Sequence, residues 1–484
     1  MADNLTLGLS QLPDEMLTFT LLKASEGLTP RLGKLAFPGR STIQTPHYIG
    51  NASRGVIPHL SQDLFRKHTN IDAIYVPLED FVEKAPQHTP PVYELDLPDA
   101  ESPLRRFIAL KQDAFLIMGA RRTPPIAAPA ANTNGAISIL TSVGFRHLAS
   151  SDYVAAAQKL RPDIVVGLGD IVYKQQAKPS NKRVAKMADR TEAWTKDIVD
   201  GKSGLDKTTR DGPRYSIFAS VLPISSELQS SYVDELADEL RDQLSGLAIY
   251  DPSSLTDLPQ ALTPLPRLSF SEPSSPRQLL HELSLGTDLL TIPFINAATD
   301  AGIALDFIFP PANASSSTRR PLGVDMWSST HATDLSPLSS GCGCYACKRH
   351  HRAYLQHLLA AKEMLGWTLL QVHNHAVMDQ FFAGVRASIG KDKFEEDRVA
   401  FEAVYEAELP ERTGQGPRQV CVIVNGVRGY QFKSEGPGEA KKNASAYRML
   451  DERKELLAEA STPSSGTDAK DLENIGFAEV VERQ

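Results

Sequence analysis

Gly341-Cys342-Gly343-Cys344-Tyr345-Ala346-Cys347, with His373 downstream in Gln371-Val372-His373-Asn374-His375, is the stretch from which the fold is read. Three of the four cysteines in this 484-residue chain fall inside it. Thiolates and a neutral imidazole are the ligands that tetrahedral Zn²⁺ selects, and Cys₃His is a common closed structural set. A C-x-C-x-x-C turn aims three sulfurs at one point, with Gly341 and Gly343 easing the backbone. An amphipathic helix then returns a fourth ligand. Three thiols in a polar, Gly-rich turn are poor core material, and an odd cluster makes no disulfide framework. The pattern predicts one structural zinc. On spacing alone the fourth ligand is open among His350, His351, His357, His373 and His375.

Composition narrows the class. The net charge is −8 and the sequence pI about 5.9, so no global basic field marks a nucleic-acid binder. The first turns of chain carry Asp3, Asp14 and Glu15 with no apolar core, which argues against a secretory signal. No apolar run approaches the ~18 residues of a membrane span. The expectation is a soluble cytoplasmic protein, with peripheral association at an organelle surface left open. The Asn-x-Ser/Thr triplets at Asn4, Asn51, Asn313 and Asn443 then read as chance matches.

Between about 70 and 300, β-type runs alternate with helical patterns. Strands are expected at 72–77, 114–119, 136–140, 163–169, 216–222 and 246–250. A helix over 231–244 places Val233, Leu236, Ala237, Leu240 and Leu244 on one stripe. Further helices are expected at 187–199, 352–365 and 398–408. Such alternation implies a parallel sheet, either doubly wound or closed as an eight-stranded barrel. No G-x-G-x-x-G or Walker A sequence supports a nucleotide-binding open sheet. The Pro/Ser-rich segments 251–277 and 310–340 read as loop insertions. Beyond 390 the style changes. A strand over 419–424 holds Cys421 as a buried thiol, a charged helix follows at 446–460, and 461–468 reads as linker.

These features together resemble the tRNA-guanine (queuine) transglycosylase family, from about Arg31 to Ile389. Pro30-Arg31-Leu32-Gly33 and Thr45-Pro46 are similar to its opening signatures, and Arg190-Thr191-Glu192-Ala193-Trp194 to its Arg-Thr-x-x-Trp helix. Cys342, Cys344, Cys347 and His373 fall on its four zinc ligands, and Arg352-Ala353-Tyr354-Leu355 on the helix between. The resemblance implies a TIM-type (β/α)₈ barrel with an inserted zinc subdomain at about 341–376. The barrel unit would cover 1–389, a C-terminal α/β extension 390–460, and a flexible tail 461–484. It also implies exchange of guanine for a deazaguanine base at the tRNA wobble position, through a carboxylate nucleophile and a second, proton-handling carboxylate.

Those chemical positions are lost. The family's nucleophile segment corresponds to Gly286-Thr287-Asp288-Leu289-Leu290-Thr291, where Thr291 stands in place of the nucleophilic aspartate. The loop of the second carboxylate is matched to Leu140–Arg146, which holds none. The base-reading aspartate falls on Gly169, one residue before Asp170, and the Val-Gln-Gly segment on Val221-Leu222-Pro223. The RNA-gripping arginines fall on Ala297 and Asp300. Intact zinc ligands with missing chemistry imply a non-catalytic member that pairs with a catalytic one as a heterodimer and meets tRNA through that complex. Two rivals stand beside it. One is an active enzyme using Asp170, Asp288 or Asp306, and the other a zinc-stabilised scaffold outside tRNA modification.

Overall fold

Eight short parallel strands close into a barrel: β1 (His47–Asn51), β2 (Ala73–Pro77), β3 (Phe115–Gly119), β4 (Ile164–Val166), β5 (Ser216–Val221), β6 (Gly246–Ile249), β7 (Arg267–Ser269) and β8 (Leu289–Thr291). The structure is a computed structural model. It describes residues 17–417 apart from 25–26, 83–88, 99–100, 129–130, 142–143, 174–178, 207–214 and 312–318, together with 423–424 and 427–428. Sequence explains the strands: Ala-Ile-Tyr-Val-Pro in β2 and Phe-Leu-Ile-Met-Gly in β3 are apolar throughout, as strands buried on both faces must be. Alternate residues point inward. Ile49, Ala73, Tyr75, Phe115, Ile117, Ile164, Val166, Phe218, Leu268 and Leu289 form one interior cluster. Their neighbours pack outward, in a cluster shared with helix residues such as Trp194 and Leu279. Closure is made by β8 against β1, where Leu289, Leu290 and Thr291 pair with His47, Tyr48 and Ile49.

The N-terminal end of the barrel is sealed. A three-stranded antiparallel sheet (Thr18–Lys23, Leu32–Ala36, Ile43–Thr45) sends Leu35 and Ile43 into the interior cluster. Two buried ion-pair clusters share that end. Arg31 grips Asp288, the residue before β8, through Nε at 3.2 Å and Nη2 at 2.6 Å, and the Arg267 backbone N–H donates to the same carboxylate at 2.9 Å. Arg40 and Arg105 converge on Asp163, just before β4, at 2.8 and 2.6 Å. The C-terminal mouth is therefore the end left for ligands, as in other barrels of this kind.

Several expectations change. The 136–140 strand is real but lies outside the barrel, in the hairpin Ala136–Thr141 with Gly144–Ala149. Segment 251–277 is no simple insertion, because it contributes β7; β1, β7 and β8 were too short or too mixed to be read as strands from the sequence. The helix expected over 231–244 spans only Ser230–Asp238, followed by a short 3₁₀ turn. The helix Asn181–Asp206, here α1, is longer than expected. After it come α2 (Pro276–Ser284), α3 (Pro293–Ala301), α4 (Tyr345–Arg349), α5 (Arg352–Ala360), α6 (Met364–Gly390) and α7 (Phe394–Val404). The helix expected over 352–365 breaks after Ala360, where Lys362 adopts a left-handed φ of 58°, and α6 begins anew.

Phe394 and Phe401 of α7 pack on Phe309, and Arg277 pairs with Glu402 at 2.8 Å. The chain divides into two compact units, 1–419 with 423–430, and 420–422 with 431–484. The second unit lies outside the described residues, and so do Cys421 and the helix and linker expected at 446–468.

Glu282 on α2 makes a pH prediction. Its carboxylate accepts a short hydrogen bond from Ser271, and burial pushes it up from 4.5 to about 7. Between those values the folded state holds a proton that the unfolded chain has released, so stability falls as pH rises through the window. Glu282→Gln is expected to exceed wild type by up to about 3 kcal/mol at pH 8 and to match it at pH 4. Urea unfolding at the two pH values checks this.

Candidate metal centre and barrel mouth

The metal centre starts from a turn that only glycine tolerates easily. Gly341 sits at φ 76° in the turn that presents Cys342, whose N–H donates to the Ser339 carbonyl. Cys344 caps α4, its Sγ accepting the Cys347 N–H at 3.3 Å, and so faces the same way as Cys347 on the first turn. His373 comes from the buried side of α6. Its Nδ1 lies 3.7, 3.6 and 3.4 Å from the sulfurs of Cys342, Cys344 and Cys347. Zn–S and Zn–N bonds of about 2.3 and 2.0–2.1 Å at tetrahedral angles place sulfur and nitrogen about 3.6 Å apart. The donor set therefore fits a tetrahedral ion of that size.

The surrounding bonds prepare the ligand. His373 Nε2 donates to the Leu305 carbonyl at 2.9 Å, so that the neutral ring would offer Nδ1, which is aimed at the sulfurs, to a metal. Asn374 ties α6 to the strand Ile303–Leu305 by accepting from the Leu305 N–H at 2.9 Å and donating to the Ile303 carbonyl at 3.1 Å. Crowding splits the thiols: hydrogen bonds from its two neighbours push Cys342 well down, while Cys344 is pushed up. A cation at the centre removes that conflict, because all three can then be thiolates.

The other histidines are elsewhere. His375 faces the barrel, between Gln371 at 3.0 Å and the Tyr48 hydroxyl at 3.2 Å, and burial lowers it to about 3. His350 stacks on Tyr354, His351 caps α5, and His357 is exposed. Cys342, Cys344, Cys347 and His373 are the one such cluster among the described residues.

The loop matched to the second carboxylate lies off the barrel. Leu140 and Arg146 belong to the outer hairpin. The segment that leaves a barrel strand for the mouth is Ala120-Arg121-Arg122-Thr123, after β3, and it too has no carboxylate. Thr291 ends β8 fully buried, its hydroxyl donating to the Ser269 carbonyl at 3.3 Å. No carboxylate or imidazole bonds it among the described residues.

The candidate substitutes are engaged. Asp170 accepts from Arg183 at 2.7 Å, Arg190 at 2.9 Å and Asn132 at 2.7 Å. Asp288 lies at the sealed end, away from the mouth where the active-enzyme reading would need it. Asp306 accepts from Ser339 at 2.6 Å, just after the strand that His373 and Asn374 bond. Asp300 on α3 pairs with His59 at 2.7 Å, and Ala297 faces solvent.

What fills the mouth is aromatic. Tyr250 stacks on Phe270 at 5.3 Å, Tyr75 meets Phe270 edge-on at 5.0 Å, and Arg121 lies 5.4 Å over Tyr173. They line a hollow enclosing about 460 Å³ of non-protein space open to solvent. Glu272, held at a left-handed φ of 60°, is the one carboxylate among its lining residues, and sequence reasoning had not singled it out. No motif marks Glu272; only barrel closure brings it to the rim.

Comparison with known proteins agrees with this arrangement. The family model described as queuine tRNA-ribosyltransferase matches residues 26–407. Among similar proteins is the queuine tRNA-ribosyltransferase accessory subunit 2 of Schizosaccharomyces pombe, 34% identical over 398 residues, covering 81% of this chain and 83% of that protein. Proteins of the same name from Drosophila pseudoobscura pseudoobscura (28% over 389 residues; 75% and 87% covered) and Danio rerio (25% over 419 residues; 76% and 94%) are also similar.

Proposed function

The chain belongs to the queuine tRNA-ribosyltransferase family, and from that premise we propose that it is the non-catalytic subunit of a heterodimer that exchanges guanine for queuine at the tRNA wobble position. One observation carries this reading: a complete Cys₃His donor set persists beside a barrel mouth whose nucleophile position is Thr291. A threonine hydroxyl bonded to a carbonyl has no base to activate it. Cys342, Cys344, Cys347 and His373 hold one structural Zn²⁺ that shapes the surface on which the catalytic partner docks. Exposed Leu335, Tyr345, Met364 and Leu365 on and beside this subdomain support such an interface. No helix among the described residues is long and apolar enough to cross a membrane, which accords with work in the cytoplasm.

The test is incorporation of labelled guanine into tRNA by this chain alone, by a catalytic relative alone, and by both mixed. Exchange only in the mixture, or a large gain over the relative, is expected. Exchange by this chain alone would overturn the reading. The search for a nucleophile would then begin at Glu272, because Asp170 is locked by two arginines and Asp288 and Asp306 lie away from the mouth. Failure to co-purify with any catalytic relative would favour the scaffold reading instead.

A further inference from the structure

Two separate arms of the chain supply the metal ligands, and one dipeptide touches both. Leu305 ends the strand Ile303–Leu305, which pairs antiparallel with Gly323–Asp325, and Asp306 follows it. Ala304 of that strand packs in the apolar cluster of the cysteine subdomain, and Leu305 packs in the barrel core. On the histidine side, the Leu305 carbonyl accepts from His373 Nε2 at 2.9 Å. On the cysteine side, the Asp306 carboxylate accepts from the Ser339 hydroxyl at 2.6 Å. The Ser339 carbonyl in turn accepts the Cys342 N–H at 3.3 Å. Asp306 is itself anchored, its own N–H donating to the Leu322 carbonyl at 3.0 Å.

A tetrahedral ion is held tightly when its donors stand at bonding geometry, and groups outside the ligand set keep them there. A loose cysteine arm has to be ordered against His373 as the ion binds, and that lost entropy weakens binding. The bond from Ser339 ends on a carboxylate, which makes it charge-assisted and stronger than a bond between neutral groups. The turn also has an independent support. Arg352 donates to the Pro337 and Leu338 carbonyls at 3.1 and 2.9 Å. Removing the Asp306 bond therefore loosens the register between the two arms without dismantling the turn.

We propose that Asp306 is a positioning residue for the metal centre, holding the turn of Cys342, Cys344 and Cys347 in register with His373 through Ser339. It is not one of the four clustered donors. It acts through the Ser339 hydroxyl and the backbone behind it, while the neighbouring Leu305 carbonyl fixes the imidazole. The proposal rests on the reading that these four side chains hold an ion.

The experiment is competition of the full-length, zinc-loaded chain against a chromophoric chelator, with Co²⁺ loading as a spectroscopic arm. Asp306→Ala is expected to weaken Zn²⁺ binding about 10–100-fold, the usual effect of losing a group that orients a ligand. Ser339→Ala removes the same bond from its other end and should weaken it as much; it carries the test if Asp306→Ala does not fold. The double variant should be no weaker than either single one, because all three lose one interaction. Asp306→Asn keeps an acceptor oxygen for Ser339 and should recover most of the affinity. Saturated with Co²⁺, Asp306→Ala should keep the wild-type thiolate charge-transfer bands, since the ligands are unchanged. The metal-free chain should melt at the same temperature with or without the substitution. Unchanged zinc affinity, additive losses in the double variant, or altered Co²⁺ bands would overturn the proposal. A matching fall in the metal-free melting temperature would also overturn it, by making Asp306 a general support of the fold. Wild type that takes up no zinc would instead sink the metal reading, and the proposal with it.

Discussion

Cys344→Ser is expected to release the metal, unfold the segment from Gly341 to the start of α6, and abolish pairing with a catalytic partner. Cys344 does two jobs, as a ligand within 3.6 Å of His373 Nδ1 and as the cap of α4. The cluster that includes Leu338, Ala346, Leu355, Leu358, Leu359 and Trp367 is far smaller than the barrel core, with Cys344 and Cys347 packed against it. Without the ion, that core must hold three crowded thiols together by itself. Structural zinc contributes roughly 10–16 kcal/mol of apparent binding free energy in zinc-finger peptides, and here that energy is coupled to folding. Elemental analysis should find about one zinc per wild-type chain and none in the variant, and a chelator should reproduce the loss. Unchanged metal content in the variant would refute the ligand assignment. Retention of an ion other than zinc by the wild type would refute only the metal's identity.

Asp288→Ala is expected to cost about 3–5 kcal/mol, the usual price of leaving one member of a buried ion pair without its partner. Arg31 and Asp288 are 3% and 0% exposed, so the stranded guanidinium cannot turn to water. Burial raises the Asp288 carboxyl while Arg31 opposes the rise. The pair therefore adds little over an apolar contact, yet breaking it is expensive. Asp288→Asn, which keeps an oxygen for the Arg267 N–H, should fall between. Denaturant unfolding checks the stability loss, and exchange measured per folded heterodimer should not change, because Asp288 is at the sealed end of the barrel. A variant of normal stability with exchange abolished would instead make Asp288 part of the chemistry.

How much of this was legible before the fold depended on whether the signal was local. The three cysteines declared themselves because ligands on one turn and one helix are local in sequence and rare in composition. The expectation that Thr291 stands at the nucleophile position came through resemblance, since it needs only the identity of one position. Strands β2 to β6 were readable as apolar runs. Strands β7 and β8, three residues each, were not: a strand of Arg267-Leu268-Ser269 is held by its neighbours' hydrogen bonds rather than by its own propensity. The same limit counted 136–140 among the sheet strands, because a hairpin strand and a barrel strand carry the same alternation and differ only in what they pair with.

From sequence alone came three thiol ligands for one metal and a parallel α/β class, while the closed barrel, His373 as fourth ligand and a nucleophile position without a carboxylate were expectations carried by the family resemblance. Those properties reside in residue identity and short-range periodicity, which the chain carries whether folded or not. The tertiary structure decided the rest. It chose His373 over His375 by turning one toward the sulfurs and the other toward Tyr48, two residues apart on one helix. It placed Asp288 under the barrel and Glu272 at its rim, and left the Asn51 amide without a partner among the described residues. Each outcome depends on which strand closes against which, and that is set by long-range packing that no local window of sequence contains.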